Sequence, residues 1–347
     1  MSAKDRPRVC LVSEEMAGPL DEGTRKFAYS LAAGLQEFSD VRGLSVGGGF
    51  SSNGIVSLPA SKTFLLRGLR DQIERFAPDV VCYVPAASMT VFAFLRAWLL
   101  KSYAPAATTA LVLLQPRRHT LPARKVLGLF APDIVLTQSE RMRLYAREVG
   151  CRVAVLPPAV DLDRFRPASA EERCALRQQL GLPRDAFLAL HVGHAKPGRN
   201  VEVMTRLRPH AEPVFVAGSS AGMDEGIVRR LSDGGVHVVS EYVRAIEHVY
   251  RAADCYVFPV RSADDAIEVP LSVLEAMACN LPVVTTRFGG LPDLFRDGPG
   301  LRFVASDDEL VDAVRFHDWM APCDTRSLVE PYSWSNAART LLEAVQR

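Results

Sequence analysis

The stretch that decides the fold is residues 254–286, DCYVFPVRSADDAIEVPLSVLEAMACNLPVVTT. Two β-rich apolar runs, DCYVFPV and PVVTT, lie on either side of a short polar turn and a nearly all-apolar helical run, LSVLEAMACN. A strand, a helix and a second strand in this order form the βαβ unit of a parallel sheet. The stretch therefore predicts an α/β fold.

The same alternation runs through the rest of the chain and yields two similar sets of strands. The first set is 8–13, 41–46, 79–84, 109–114, 133–138 and 152–157, and the second is 186–192, 213–218, 236–239, 254–260, 282–286 and 301–305. Prolines and charges interrupt the rhythm at 157–185. We therefore predict two doubly wound domains, 1–168 and 169–332, followed by a terminal helix over 333–347. Ligands of such domains bind beyond the carboxyl ends of the strands, which predicts a site in the cleft between the domains.

Composition limits the class of protein. A chain of 347 residues with 48% hydrophobic residues can supply two cores, so a soluble globular protein is expected. The most apolar helical stretch, 90–100, is too short to span a bilayer and contains Arg96. Seven scattered cysteines without C-x-x-C spacing predict neither disulfides nor a zinc site. With no apolar leader before the first strand, we expect a cytoplasmic protein.

The net charge of +1 conceals an asymmetry between the halves of the chain. Residues 1–168 hold 22 Lys and Arg against 15 Asp and Glu, a balance of +7, whereas 169–347 hold 19 against 25, a balance of −6. A basic first half favours anionic partners such as a phosphorylated acceptor or a lipid surface. Nucleic acid is not expected, because the basic residues are not interleaved with stacking aromatic residues.

Several polar residues follow predicted strands and are candidates for binding. The loop after Gly193 contains His194, Lys196 and Arg199, and cations beside free backbone N–H groups form an anion site; the alternative is a solvated basic turn. Gly23 and Thr24 open a helix that can hold a phosphate or an acceptor hydroxyl, or they form an ordinary turn. Residues that are placed to line a nucleotide are Gly218, Ser219, Tyr242 and Val243.

Acidic residues allow both structural and binding roles. Ser272 and Glu275 fit the S-x-x-E capping box, but Glu275 would also lie where a carboxylate binds the diol of a ribose. The sequence DLD at 161–163 has the form of a metal motif, yet it lies in the linker and is interpreted as structural. Hydrolase chemistry is not expected, because no G-x-S-x-G elbow or Ser/His/Asp pattern occurs.

With these segments in order, the chain resembles the family-4 retaining glycosyltransferases over almost its whole length. The segments that carry the resemblance are EGTRKFAYSLAAGL, PDIVLTQSE, VAVLPPAVDLDRFRP, VGHAKPGRN, IEVPLSVLEAMACNLPVVTTRFGGLPDLF and SWSNAARTLLEAV. The resemblance implies the GT-B architecture, in which two Rossmann-like domains face each other across a cleft and the C-terminal helix returns to the first domain. It also implies hexosyl transfer with retained configuration from a nucleotide-sugar, UDP- or GDP-sugar favoured, on the second domain. The acceptor, a carbohydrate or a lipid-linked molecule, would bind the first domain, and no metal or other cofactor is required.

The resemblance also assigns roles to residues of the second domain. The family's diphosphate loop is flanked by Gly-Arg and Lys-Gly, and these positions are Gly193-His194 and Arg199-Asn200 here. Arg199 keeps the positive charge, whereas His194 predicts donor binding that depends on pH. In the transition state a cation at this loop would stabilise the leaving diphosphate.

The acidic positions of the family match less closely. Glu275 takes the place of the glutamate that holds the ribose, but the position eight residues earlier, which is a glutamate in the family, is Ile267. Either Glu268 takes the donor-sugar role, or backbone N–H groups in the segment from Pro270 through Leu271 to Ser272 do so.

Departures in the first domain leave other functions open. Gln115 stands where the family often has a histidine; it can bind a donor hydroxyl but cannot exchange protons, and His119 is a substitute only if it is not a surface residue. A catalytically silent sugar-nucleotide-binding protein or, less favoured, a sugar-nucleotide 2-epimerase are the alternatives. Apolar and basic residues at 92–103 and 115–130 predict peripheral contact with the inner face of a membrane, or buried helices with exposed arginines. The donor base, the sugar, the acceptor and the oligomeric state stay open.

Overall fold

The structure is a computed structural model that describes residues 6–16, 18–48, 54–117, 119–218 and 222–346. Its internal contacts divide the chain into two compact units. The first unit comprises Met1–Pro158 and Trp334–Arg347, and the second unit comprises Ala159–Ser333.

The described strands of the first unit form one parallel sheet in the order β3-β2-β1-β4-β5-β6-β7. They are β1 (Arg8–Ser13), β2 (Asp40–Ser45), β3 (Ile55–Ser57), β4 (Val80–Val84), β5 (Thr108–Leu113), β6 (Ile134–Thr137) and β7 (Val153–Val155). The helices are α1 (Gly23–Leu35), α2 (Arg67–Phe76), α3 (Val91–Tyr103), α4 (Leu121–Leu129), α5 (Glu140–Glu148) and, at the end of the chain, α13 (Trp334–Gln346). Strands β1 and β4 are almost wholly buried because helices cover both faces of a parallel sheet.

The second unit repeats this plan with the strand order β10-β9-β8-β11-β12-β13 in its described residues. The strands are β8 (Leu188–Gly193), β9 (Glu212–Ala217), β10 (His237–Val239), β11 (Cys255–Phe258), β12 (Val283–Thr286) and β13 (Leu301–Val304). The helices are α6 (Ala170–Gln179), α7 (Glu225–Asp233), α8 (Ile246–Ala252), α9 (Leu271–Ala278), α10 (Leu291–Leu294), α11 (Asp307–Phe316) and α12 (Thr325–Val329), with a 3₁₀ helix at Val201–Leu207. In both sheets the strand order reverses at the centre, at β1/β4 and at β8/β11, which is where doubly wound sheets open a ligand crevice.

The predicted doubly wound fold is confirmed in both units. Each predicted strand corresponds to an observed one, and the strand that the sequence did not predict is β3, which is only three residues long. The predicted return of the C-terminal helix to the first unit is also confirmed, because Trp334 of α13 packs edge-to-face on Phe27 of α1 with ring centroids 5.3 Å apart. A Cβ at Gly34 would lie 2.7 Å from the carbonyl oxygen of Trp334, so a glycine is needed for this approach.

The boundary between the compact units lies about ten residues before the predicted one at 168/169. The reason is that the segment after Pro158 packs into the second unit, where Val160 and Phe165 are buried in the core. The guanidinium of Arg326 donates to the carbonyl oxygen of Phe165 at 2.9 Å.

The DLD sequence, which the boundary shift brings into the second unit, closes a local turn. The carboxylate of Asp161 accepts from the N–H groups of Asp163 at 3.2 Å and Arg164 at 2.9 Å. This geometry is that of an Asx-turn, in which the side chain replaces a backbone acceptor. The interpretation of Asp161 as a structural residue rests on these bonds.

Helix α3 contains the most apolar helical stretch of the sequence. It has 13 residues, so it is about 20 Å long, which is shorter than the hydrocarbon core of a bilayer. Across the described parts of the chain, no helix combines the length and the apolar character that a membrane span requires.

Candidate functional site

The loop after β8 is built from two consecutive tight turns that start at His194, directly after Gly193. The N–H of Lys196 donates to the carbonyl oxygen of His194 at 3.1 Å, and the N–H of Arg199 donates to that of Lys196 at 3.2 Å. These turns fold Arg199 back, so that its Nη1 lies 3.6 Å from the point where a Cβ of Gly193 would be. The N–H of Gly218 donates to the carbonyl oxygen of Gly193 at 2.8 Å and joins the loop after β9 to this turn. Three predicted binding residues, Gly193, Arg199 and Gly218, are thus brought together.

The three expected cations of this loop differ in their environment. Lys196 and Arg199 are partly exposed, whereas His194 is only 7% exposed. Of the three expected cations, Lys196 and Arg199 therefore reach the surface and His194 does not. The pH dependence expected from His194 stays a prediction.

The far end of the loop is fixed by Asn200. Its φ of 55° is left-handed, a conformation that asparagine tolerates and that explains why a glycine can stand at the matching family position. Its amide donates to Asp307 at 2.8 Å and to the carbonyl oxygen of Pro259 at 3.3 Å. The loop is therefore tied to the end of β11 and to the start of α11.

A second contact joins this loop to the segment that follows β11. Gly198 has a φ of +87°, and a Cβ there would lie 2.3 Å from the carboxylate of Asp265. No side chain fits at position 198 without displacing Asp265. The loop after β8 and the loop before α9 therefore touch, as expected for loops that leave neighbouring parallel strands at the same edge.

The start of helix α9 excludes the capping box, one of the two roles that the sequence suggested for Glu275. The helix begins at Leu271 with Pro270 as its N-cap residue, and no side chain caps it. Ser272 is thus the second residue of the helix, and its hydroxyl interacts with that of Tyr256. The capping box of Ser272 and Glu275 is wrong, because the helix starts two residues earlier than that pattern requires, which makes Glu275 its fifth residue instead of its third. The N–H groups of Leu271 and Ser272 precede the first intrahelical bond, which keeps their predicted binding role open.

Glu275 is buried within α9, with 4% of its surface exposed. Its negative charge acts on the hydroxyl of Tyr250, whose pKa is raised well above the usual 10, mainly by burial and further by Glu275. A buried carboxylate is costly without polar neighbours, and Tyr250 is one of them. Binding of the ribose by Glu275 stays a prediction. The alternative is that Glu275 has a structural role through its contact with Tyr250.

The backbone of Glu268 is fixed by the turn that contains Gly289 and Gly290. Glu268 is 1% exposed, and its carbonyl oxygen accepts from the N–H of Gly290 at 2.9 Å. Gly289 has a φ of +52°, and a Cβ there would lie 2.1 Å from the same oxygen. Ile267, at the family's first acidic position, is buried as well. The FGGL turn therefore fixes the segment before α9, and the donor-sugar role of Glu268 stays a prediction.

Two other predicted donor-binding residues lie in the loop after β10. Tyr242 is 44% exposed, and Val243 packs partly on the core of the second unit. Ser219 lies outside the described residues. Their roles stay predictions.

In the first unit, the predicted acceptor residues Gly23 and Thr24 lie at the start of α1. The carboxylate of Glu22 caps this helix by accepting from the N–H of Arg25 at 2.8 Å, and it also accepts from the hydroxyl of Thr24. Thr24 is buried. An acidic side chain thus occupies the position where a phosphate was expected, so an anion at this helix start would first have to displace Glu22.

Gln115 follows β5 by two residues and is half-buried. The ring of His119 stacks on that of Tyr145, and its Nδ1 lies 3.1 Å from the Tyr145 hydroxyl, which also accepts from the His119 N–H at 2.9 Å. His119 is therefore engaged with α5. Gln115 stays the predicted substitute for the family's histidine.

The sequence did not indicate a polar cluster at the end of β1. The two carboxylate oxygens of Glu14 accept from the Tyr83 hydroxyl at 2.9 Å and from the N–H of Ala86 at 3.0 Å, and Glu14 also pairs with Arg96. Burial and the charge of Glu14 raise the pKa of Tyr83 well above its usual value. Glu14 directly follows the first strand, which is the signal that could have found it.

His191 was also missed, although it is a polar residue within the apolar run AFLALHV. It is fully buried in β8, two residues before Gly193, and burial lowers its pKa to about 3. A polar residue inside a strand that leads to a glycine turn is the signal that could have found it.

Comparison with known proteins now gives the relatives of this site. Residues 199–316 match the family model described as "Glycosyl transferases group 1". The match includes Arg199, Glu268 and Glu275, and the resemblance drawn from the sequence is confirmed.

Similar proteins are found among curated sequences. The D-inositol 3-phosphate glycosyltransferase 2 of Catenulispora acidiphila is 36% identical over 192 residues, which are 49% of this chain and 42% of the relative. The D-inositol 3-phosphate glycosyltransferase of Actinosynnema mirum is 33% identical over 239 residues, 58% of this chain and 53% of the relative. The chain spans about half the length of these curated relatives.

Solved structures share the fold over nearly the whole chain. The Anabaena protein Alr3699/HepE in complex with UDP superposes with a TM-score of 0.74 at 13% identity, covering 98% of this chain and 99% of that one. The sucrose-phosphate synthase of Thermosynechococcus elongatus gives a TM-score of 0.76 at 17% identity, covering 98% of each chain. Together with the two doubly wound sheets, these neighbours confirm the predicted GT-B fold class.

Proposed function

We propose that this chain is a retaining glycosyltransferase that moves a hexose from a UDP- or GDP-sugar to a carbohydrate or lipid-linked acceptor. The family match of residues 199–316 supports the reaction class, and the UDP and UDP-glucose complexes of a structural neighbour support a nucleotide-sugar donor. A place in glycan or cell-envelope biosynthesis follows from this choice of acceptor.

The observation that carries the proposal is the position of Arg199. Its guanidinium lies against the Gly193 turn at the end of β8, and the same loop touches Asp265 in the segment before α9. Neighbouring parallel strands deliver both loops to one edge of the sheet, where Rossmann-like units bind nucleotides. A glycine turn with a guanidinium beside it suits the two phosphates of a nucleotide-sugar.

In the proposed reaction the bond between the anomeric carbon and the diphosphate breaks, and the acceptor hydroxyl forms its new bond on the same face of the sugar. The donor phosphate takes the proton of the acceptor hydroxyl. Negative charge grows on the diphosphate as the bond breaks, so Arg199 and Lys196 stabilise the transition state more than the ground state. Glu275 would hold the ribose hydroxyls, and the Glu268 segment would face the donor sugar.

The charge asymmetry supports an anionic acceptor for the first unit. Residues 1–168 carry a balance of +7, and the curated relatives are named for an inositol 3-phosphate. A phosphorylated polyol or sugar is therefore the first soluble acceptor to test. A lipid-linked acceptor carrying the same phosphate chemistry is the second.

Membrane contact through the first unit is part of the proposal. Phe92 and Trp98 of α3 are 56% and 47% exposed, and Leu129 of α4 is 77% exposed. The Trp98 ring packs on Phe130 directly after α4, and Lys125 adds positive charge to that helix. Exposed aromatic rings beside basic residues suit an anionic bilayer surface.

A flotation assay with phosphatidylglycerol vesicles tests this contact. We expect the protein to float with these vesicles, to float less as Trp98→Ser, and not to float with neutral vesicles. Equal binding of the variant and the unchanged protein would contradict the contact.

A donor screen tests the function. The protein is incubated with UDP-, GDP- and ADP-sugars, with inositol phosphates, sugar phosphates and lipid-linked acceptors, and release of the nucleoside diphosphate is measured. Release that requires one donor and one acceptor is the expected result. Release with no combination would contradict transfer.

Two alternatives make different predictions in the same assay. Gln115, the buried His194 and Ile267 in place of an acidic residue favour a silent sugar-nucleotide-binding protein. Such a protein would bind UDP or GDP in calorimetry without turnover. A 2-epimerase, the less favoured alternative, would convert its donor without any acceptor.

A further inference from the structure

The strand that leads into the Gly193 turn contains a fully buried histidine, His191. Its imidazole stacks on Phe215 with centroids 5.6 Å apart, and it lies 6.0 Å from the rings of Tyr256 and Phe258. The aromatic rings fix the plane of the imidazole. Its two nitrogens therefore have defined directions.

One of these nitrogens is engaged with the strand next to it. Nδ1 lies 2.8 Å from the carbonyl oxygen of Val257, which can only accept, so Nδ1 carries the hydrogen and Nε2 carries the lone pair. Burial, with a smaller contribution from the positive charge of Arg199, lowers the pKa of His191 to about 3. The ring is therefore neutral near pH 7, and Nε2 acts as an acceptor.

The other nitrogen is directed at the candidate diphosphate loop. A Cβ on Gly193 would lie 2.8 Å from Nε2, and Nη1 of Arg199 approaches the same point to 3.6 Å. Among the described residues, none is hydrogen-bonded to Nε2. A buried acceptor without a partner costs about 1–3 kcal/mol, so a donor that reaches Nε2 in another state would recover this cost.

We propose that His191 is a positioning residue whose Nε2 accepts a hydrogen bond from the Arg199 guanidinium when a nucleoside diphosphate is bound. The proposal rests on the proposed function, because it needs a diphosphate at the loop. The guanidinium is a rigid planar fork of five N–H groups, so holding one edge of it directs another edge at the phosphates. Gly193 is required in this arrangement, since any side chain there would meet Nε2.

A matched pair of variants tests the role of Nε2. In His191→Gln the side-chain amide reaches the position of Nε2, whereas in His191→Asn it reaches only the position of Nδ1. Calorimetry with UDP is expected to show affinity near that of the unchanged protein for His191→Gln and a loss of about tenfold for His191→Asn, as for a hydrogen bond to a charged group. GDP replaces UDP as the probe if the donor screen selects it. Equal losses in both variants would overturn the proposal.

The route through Arg199 is tested by a double-mutant cycle. His191→Phe keeps the aromatic packing but removes both nitrogens, and Arg199→Lys replaces the planar fork by a point charge. We expect His191→Phe to weaken UDP about tenfold in the Arg199 protein and to have no further effect in the Arg199→Lys protein. Additive losses would overturn the proposal.

Uridine distinguishes this role from a general effect on the fold. It lacks the diphosphate, so its binding should not change in His191→Phe; an equal loss of uridine and UDP binding would identify a structural role and overturn the proposal. If the unchanged protein binds neither UDP nor GDP, the proposed function itself fails. If it binds one of them and all three His191 variants bind it equally well, this inference alone fails.

Discussion

The two units share one topology but arrange charge differently at the same edge of their sheets. In the first unit, β1 is followed by Glu14, which is enclosed by Tyr83, the Ala86 N–H and Arg96. In the second unit, the equivalent strand β8 is followed by a glycine turn that carries Lys196 and Arg199. The ion pair of Glu14 and Arg96 fills the first edge, which we call the closed edge, whereas the second edge, the open edge, carries the partly exposed cations Lys196 and Arg199. A shared fold does not determine where a ligand binds. The residues that follow the central strand determine it through their chemistry.

The largest effect is expected for the closed edge of the first unit. Glu14→Ala leaves Arg96, whose side chain is 14% exposed, without its carboxylate, and breaking a pair that is largely shielded from solvent costs about 3 kcal/mol. Denaturant unfolding should show this loss, while UDP affinity stays unchanged. Reduced UDP affinity without a loss of stability would show that Glu14 belongs to a binding site and would remove the contrast between the units.

The second prediction concerns the open edge. Arg199→Ala should weaken UDP binding by about 100-fold, because a charge-assisted contact with the diphosphate is lost, and it should change stability little. The matched control is Arg206→Ala in the adjoining 3₁₀ helix, which breaks an exposed ion pair with Asp308 of α11. Surface pairs contribute little, so this variant should bind UDP normally. Equal effects of the two substitutions would contradict the assignment of Arg199.

A pH dependence of stability follows from His191. Its folded pKa of about 3 is below the value of about 6.5 that a histidine has in the unfolded chain, so protonation of the unfolded chain favours unfolding as the pH falls. The protein should lose about 2 kcal/mol from this group between about pH 7 and pH 5, and His191→Phe should not. Denaturant unfolding at several pH values measures the difference. Parallel curves for the two proteins would show that His191 is not held neutral.

The smallest effect is expected inside α9. Glu275→Ala should reduce UDP affinity at least tenfold through loss of the ribose contact, with a smaller loss of stability. Tyr250→Phe is the control, because it removes only the hydroxyl next to Glu275. If both variants lower the melting temperature and neither affects UDP binding, the contact with Tyr250 explains Glu275 and the ribose role is wrong.

The sequence predicted most of the fold because its signals are local. Apolar runs such as 79–84 and 282–286 are long and regular, and both became buried strands. Strand β3 was missed because three residues give no periodicity. The boundary at 168/169 was placed by composition, whereas the burial of Phe165 in the second unit depends on contacts with distant residues such as Arg326.

The candidate site was less predictable because side-chain environments depend on tertiary packing. Gly193 and Arg199 could be found, since a glycine and a cation after a strand are visible in the sequence. The sequence could not predict that His194 is buried or that Nε2 of His191 points at Gly193. The capping box failed for a similar reason, because Pro270 fixes the start of α9 before Ser272.

Helix α13 has a consequence for biosynthesis. The first unit is built from two separated pieces of the chain, and Leu341 and Ala338 of α13 are fully buried in it. A ribosome therefore completes residues 159–333 before it releases the helix that covers Phe27 and Gly34. The second unit can fold during translation, while the first must wait with an apolar face on α1 uncovered. The second unit would thus form before the first.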